Sequence, residues 1–369
     1  MNKLRYILLF TALGILCSIS YAQNRGNTKY HNTPGPLQDL EALLINTGIN
    51  IGQIRVNDAS LAVRIAAFEK TTNSDSLVAL YYHLARRNDL RKRDYQAPAL
   101  KCLNALHQTG GVKDDEQLLL IGQKILGETK AGQSEAFFIY HYLRARMLYA
   151  TSDYESSLGI IQQRVRELER MEPEFDSLLI LYYSLGFANQ YLLGAINEAK
   201  EFIMKGIALY TSSFGAEESY QLASLHNNIG IVERKLGNYD IALQNYLRAI
   251  EIKERLNVED PDKLLTSAIS LANLYNILGR YDEGLKLIND YESVYYSGLN
   301  PSTQVSICVL KSRLYRNLKD KDKAIQYINL AKKTVNYISK KQSKYLAEIF
   351  LAEGNIYASF EHSQEAITA

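Results

Sequence analysis

A turn comes back along this chain at almost equal intervals, and that regularity rules out most folds. The sharpest copy runs from Ala223 through Gly230, Gly237, Tyr239, Ala242 and Tyr246 to Ala249. Its register returns at Gly194 with Ala199, at Gly279 with Tyr281 and Gly284, and at Lys319 with Ala324. Ser152, followed by Tyr154 and Ser157, is a weaker copy, and a last one opens at Gly354 and Tyr357 and reaches Ala366. The turns therefore fall at 152, 194, 237, 279, 319 and 361, in steps of 42, 43, 42, 40 and 42. Near-equal steps of this kind mark an array in which each unit packs on its neighbours. Gly237 suits the left-handed cap that ends a helix. Tyr239 then fills the turn, and Ala242 and Ala249 let a second helix approach the first.

Small residue, glycine turn, aromatic, Ala, aromatic and Ala at this spacing resemble the tetratricopeptide repeat. The resemblance covers about residues 136–369. It implies an all-α fold, a right-handed α-α superhelix built as a solenoid of antiparallel helix hairpins. It also implies protein or peptide binding rather than catalysis. The common repeat is about 34 residues long, and roughly eight more would add one turn to each helix.

Upstream the pattern blurs. One period before Ser152 lies Gly110-Gly111, with Ala99 to His107 ahead of it and Asp114-Asp115 at the start of the following apolar run. Residues 57–95 also read as helices, with Asp58 or Ser60 and Ser74 or Asp75 as capping residues. The chain thus divides into a segment 1–22, a flexible polar leader 23–36, a helical N-terminal region 37–135 with degenerate repeats, and an array 136–369 whose last repeat is incomplete.

Residues 1–22 read as a secretory signal peptide. Lys3 and Arg5 precede an uncharged run from Tyr6 to Ile19, and Ser20-Tyr21-Ala22 offers a cleavage point before Gln23. The expected location is secreted or periplasmic. Loss of this segment removes Lys3 and Arg5 and no acids, leaving 40 basic against 40 acidic residues. A neutral body lacks the basic footprint that nucleic-acid binding needs. Membrane contact is expected only through an uncleaved N-terminal segment or through a segment beyond Ala369. With 47% apolar and 22% charged residues the chain is too apolar for disorder. Cys102 and Cys308 lie far apart in an array of neighbour contacts and read as small buried hydrophobes rather than a disulfide.

Catalytic and metal signatures are missing. His31, His83, His107, His141, His226 and His362 form neither HExxH nor a close Cys/His pair, so no metal ligands and no cofactor are expected. His141 and His226 hold equivalent places in their repeats, as packed residues do. The stretch Gly127 to Ser134 has the glycine spacing of a phosphate loop, but Gln133 stands where the lysine belongs, and it reads as a linker. The basic run Arg86 to Arg93 reads as a solvated helix face answered by Asp89 and Asp94. Acid pairs such as Glu217-Glu218 suit helix starts.

The resemblance places a binding groove along the first helices of successive repeats. The core stripe is taken by the repeat residues, so the groove falls to the neighbouring stripe at i, i+4, i+7. That offset selects Tyr142, Arg146 and Tyr149, then Ser184, Ala188 and Tyr191. It continues with Asn227, Ile231 and Arg234, then Ile269, Asn273 and Asn276. Val309, Arg313 and Arg316 follow, then Leu351, Asn355 and Ala358. The stripe holds no Asp or Glu. Asn can bond to both groups of an extended peptide backbone, and Arg can grip a carboxylate with two hydrogen bonds. The expected role is a scaffold outside the cytoplasm that docks an extended peptide. The alternative is the sensory region of a bacterial transcriptional regulator or sensor kinase, with a membrane helix and output domain beyond residue 369.

Overall fold

The computed structural model describes residues 35–47, 65, 74–86, 95–109, 115–127, 134–171, 175–256, 260–295, 298–338 and 342–368. The expected signal segment 1–22, residues 23–34 of the expected leader, Gly110-Gly111 and residues 87–93 of the basic run lie outside them. The chain divides into two compact units, Met1–Glu217 and Glu218–Ala369. Every regular element among the described residues is helical. None of these helices is long and apolar enough to cross a membrane.

The first unit holds α1 (Gly35–Asn46), α2 (Ser74–Ala85), α3 (Gln96–Thr109), α4 (Asp115–Leu126), α5 (Glu135–Ala150), α6 (Tyr154–Leu168), α7 (Asp176–Leu192) and α8 (Ile196–Phe214). Gly35 and Pro36, expected in the leader, open α1. Proline fits there because the first turn of a helix needs no backbone donor. The degenerate region joins the array, since α2 packs on α3, and α3 and α4 both pack on α5. Arg86, the described end of the basic run, reaches Glu41 of α1 at 3.3 Å.

The second unit holds α9 (Tyr220–Lys235), α10 (Tyr239–Arg255), α11 (Pro261–Ile277), α12 (Tyr281–Tyr295), α13 (Pro301–Asn317), α14 (Lys321–Thr334), a 3₁₀ turn (Val335–Tyr337) and α15 (Gln342–Thr368). Each hairpin packs internally, and first helices also touch the next first helix: α5 on α7 in one unit, α9 on α11, α11 on α13 and α13 on α15 in the other.

The turns explain the hairpins. Ser152, Gly194, Gly237, Gly279 and Lys319 all sit at positive φ, between 65° and 84°. One residue later an N–H reaches five residues back: Asp153 to Leu148, Ala195 to Gln190, Asn238 to Glu233, Arg280 to Tyr275 and Asp320 to Tyr315, at 2.8–2.9 Å. This bond ties off carbonyls that the ending helix leaves open. Asp153 and Asp320 then cap the next helix by accepting from the N–H of Ser156 and Lys323. Elsewhere Ser134, Ser219, Asp260 and Asn300 start α5, α9, α11 and α13, the last two with a proline directly after. The sixth turn, expected at 361, is absent. Glu361 lies inside α15, which runs on to Thr368. A helix-favouring Glu occupies the turn position, and His362 rather than a capping Asp or Asn comes next.

The core follows the same register. Five residues after each turn stand Ser157, Ala199, Ala242, Gly284 and Ala324, all buried. Nine after stand Ile161, Ile203, Tyr246, Ile288 and Ile328, also buried. In the second unit the Tyr246 ring fills the space over Gly230, where an added Cβ would lie 2.5 Å from it. Phe202 closes on Gly186 in the same way in the first unit, at 2.6 Å. Cys102 and Cys308 are free and buried, and burial pushes both thiols up, Cys308 to about 12.

Candidate functional site: the stripe on the first helices

In the first unit the stripe is knit into its surroundings. Tyr142 on α5 is buried, 7% exposed, with its ring 5.3 Å from Tyr182 of α7. Burial pushes its hydroxyl up, and nearby Arg146 opposes that. Arg146 donates to Asn104 Oδ1 at 2.8 Å and lies over the Tyr142 ring at 5.9 Å. Tyr149 rests on Tyr154 at 5.6 Å, and Tyr191 on Phe187 at 6.0 Å. Asn104 on α3 was not selected from the sequence, because it precedes the region where the register is readable.

His141, beside this stripe, meets the Phe137 ring edge-on at 4.4 Å. Burial, with Arg164 and Arg144 adding like charge, lowers its pKa to about 4. It is a packed neutral imidazole near neutral pH. His226 in the second unit pairs through Nδ1 with Asn245 Oδ1 at 2.9 Å. Glu217 and Glu218 are occupied too, each within its own unit: the Glu217 carbonyl accepts from Tyr210 at 2.7 Å, and Glu218 takes Arg248 and Arg255.

The second unit's stripe is bonded mainly within itself. Asn227 on α9 is 5% exposed, and its side-chain carbonyl has no hydrogen-bond partner within the protein. Arg234, two turns on, reaches only the Tyr246 hydroxyl, at 3.4 Å. On α11, Asn273 donates back to the Ile269 carbonyl at 2.9 Å, and Asn276 accepts from Asn317 Nδ2 of α13 at 2.8 Å. Asn317 Oδ1 in turn holds Arg316 through Nε and Nη2, at 3.2 and 3.0 Å. Arg313 is half-buried, and Asn355 on α15 is exposed. The structure thus joins Asn276 to Arg316 through Asn317, a link the sequence hid because Asn317 sits one residue off the stripe.

Charge pairing divides the six arginines among the described residues of this unit. Those off the stripe are all answered: Arg248 and Arg255 by Glu218 and Glu251, and Arg280 by Glu283. Those on it, Arg234, Arg313 and Arg316, bond to no carboxylate. Burial pushes the Arg313 guanidinium down, Glu348 of α15 draws it back up, and Arg316 beside it pushes it down again.

A stack of helical hairpins with a polar stripe along its first helices defines a class of protein that holds other chains. The tetratricopeptide repeat models match residues 221–296 and 305–333, and the chain is a tetratricopeptide-repeat protein. Such arrays serve in general as scaffolds for protein or peptide partners. No curated protein matches the chain. Among solved structures it is similar to a Rap protein complexed with competence and sporulation factor, at 13% identity and a TM-score of 0.60, covering 88% of this chain and 87% of that one. It is also similar to aspartyl phosphate phosphatase F from Bacillus subtilis, at 13% identity and a TM-score of 0.50, covering 93% and 84%. The apo form of RapI gives 15% identity and a TM-score of 0.50, over 71% and 93%. At these identities the likeness is one of fold.

Proposed function

We propose that this protein is a non-catalytic docking scaffold outside the cytoplasm, and that it holds an extended peptide along the second unit's stripe of Asn227, Arg234, Asn273, Asn276, Arg313, Arg316 and Asn355. The carrying observation is the row of half-buried polar side chains on the second unit's first helices, Arg234, Asn273, Asn276, Arg313 and Arg316, none of which bonds to a carboxylate among the described residues. Asn can bond to both the N–H and the C=O of an extended backbone, and Arg can donate to its carbonyls. The Rap protein solved with competence and sporulation factor supports the reading, since a chain of similar fold has been captured with a partner.

The test is selection of a random dodecapeptide display library on the full chain, followed by equilibrium binding of the winners. Enriched peptides are expected, and Asn273→Ala with Asn276→Ala should weaken them about tenfold or more. A library that leaves no peptide above background defeats the reading, as does equal affinity in the double variant. Export has its own check: intact mass of the protein from its native host should start at Gln23. A retained Met1 would refute cleavage after Ala22.

A further inference from the structure

On α15 a face lies open that the preceding hairpins bury. Seven residues ahead of the turns at 152, 237, 279 and 319 stand Ala145, Gly230, Ala272 and Ser312, all small and buried. The hairpin's own second helix covers the first three. Ser157 donates to the Ala145 carbonyl at 2.8 Å, the Tyr246 ring fills the space over Gly230, and a Cβ on Gly284 would lie 3.4 Å from the Ala272 oxygen. Gly354 holds the same place ahead of 361, and there a Cβ would meet nothing within 4 Å. Around it Phe350 is 58% exposed, Leu351 63% and Tyr357 41%, and Ala347 and Ala358 are exposed too. On a helix of 3.6 residues per turn these residues fall within about 60° of Gly354. No charged residue interrupts that arc. The opposite side, Ile349, Ala352 and Ile356, is buried in one cluster with residues of α13 and α14. Among the described residues no second helix covers the open arc, and a continuous apolar surface of this kind marks a contact with another chain.

The order of large and small residues decides what fits. Ala347, Phe350, Gly354 and Tyr357 alternate small and large at spacings of three and four, the a and d positions of a heptad. Laid antiparallel on itself, this sequence sets each ring opposite a small residue. Phe350 of either copy meets Gly354 of the other, and Tyr357 of either meets Ala347 of the other. Facing positions of unequal size interdigitate, whereas a parallel alignment would set Phe350 on Phe350 and Gly354 on Gly354. The chain already makes a contact of this type, Tyr246 over Gly230. We infer that α15 pairs antiparallel with α15 of a second copy of this chain, in the self-complementary manner of a twofold interface. The inference does not depend on peptide docking, since Asn355 lies about 100° round the helix from Gly354 and off the seam.

Sedimentation equilibrium of the full chain, between roughly 1 and 200 µM, tests the pairing. A reversible dimer is expected. Phe350→Ala and Gly354→Phe should each weaken it about tenfold or more, the first by emptying both ring contacts and the second by setting ring against ring. Combined, the two changes only exchange large for small within the layer. The double variant should therefore recover to within about threefold of the wild type. That rescue is specific to a second copy in antiparallel register, because a helix of another protein keeps its own side chains. Both positions are exposed and a Cβ at Gly354 has room, so loss of the dimer is not loss of the fold, which circular dichroism of each variant checks. A chain that stays monomeric throughout overturns the inference and leaves the face to a helix of another protein. A dimer indifferent to both single variants, or one that the double variant fails to restore, overturns it as well.

Discussion

The two units carry the same kind of stripe and spend it differently. In the first, Tyr142 and Arg146 are built into the packing, one against Tyr182 and the other against Asn104. In the second, the buried Asn227 carbonyl has no partner, and Arg234, Arg313 and Arg316 bond to no carboxylate among the described residues. A side chain's place on a helical wheel is thus not enough to make it a contact residue. What matters is whether the neighbouring helix has already claimed it. On that criterion the proposed docking surface falls to the second unit, and the first unit's stripe mainly supports structure.

The largest expected effect tests that division. Tyr142→Ala should lower the stability of the first unit by about 3–5 kcal/mol, the usual cost of removing a buried aromatic ring. Asn273→Ala, half-exposed and bonded only within its own helix, should change the second unit by about 0.5 kcal/mol or less. Hydrogen exchange in denaturant, followed separately through α5–α7 and α9–α11, reads both. Equal losses would erase the contrast.

A second difference is electrostatic. Lys253, at the end of α10, is 1% exposed and donates to the Lys263 carbonyl at 2.6 Å and to Ser267 Oγ at 2.9 Å. The Tyr220 ring lies 5.3 Å away, and Lys263 pairs with Asp260 beside it. Burial lowers the Lys253 pKa to about 7, with Asp260 opposing, against roughly 10.4 in an unfolded chain. Between these values the unfolded chain binds the proton and the folded one does not, so stability rises with pH. Below about 7 both forms are charged and the penalty stands in full. The second unit should therefore gain on the order of 3 kcal/mol from pH 7 to pH 10 through this group. Lys253→Met should flatten that rise, whatever it does to stability at any single pH. A slope unchanged in chemical denaturation across that range would show that Lys253 keeps its ordinary titration.

The sequence made the hairpins legible because a turn is a local event. Positions 152, 194, 237, 279 and 319 each need a left-handed residue, and each has one. The small residues and apolar partners five and nine places on follow from the same local geometry. Position 361 was legible only as an extrapolated interval, with no chemistry of its own, and there the helix continues. The site was less legible. Spacing found the stripe, but the burial of Tyr142 depends on a ring 40 residues away in sequence, and the Arg316–Asn317–Asn276 chain joins two helices. Which polar residues remain open is decided by packing between repeats, and periodicity within one repeat carries no record of it.

The smallest effect concerns the two turns that lack glycine, one in each unit. Ser152 and Lys319 hold φ of 68° and 65°, where a Cβ crowds the backbone and costs an L-residue about 1–2 kcal/mol. Glycine escapes that crowding but gives up about 0.5–1 kcal/mol in extra unfolded-chain freedom. The balance predicts that Ser152→Gly and Lys319→Gly each stabilise their unit by roughly 0.5–1 kcal/mol. The two sites are not equivalent. Ser152 Oγ accepts from the Tyr154 hydroxyl at 3.3 Å, an exposed contact the substitution deletes, whereas no side-chain bond of Lys319 is lost. The gain should therefore be larger at Lys319, in the second unit, than at Ser152 in the first. Denaturant midpoints for the two single variants decide it, and a loss at Lys319 would mean that its backbone is not strained.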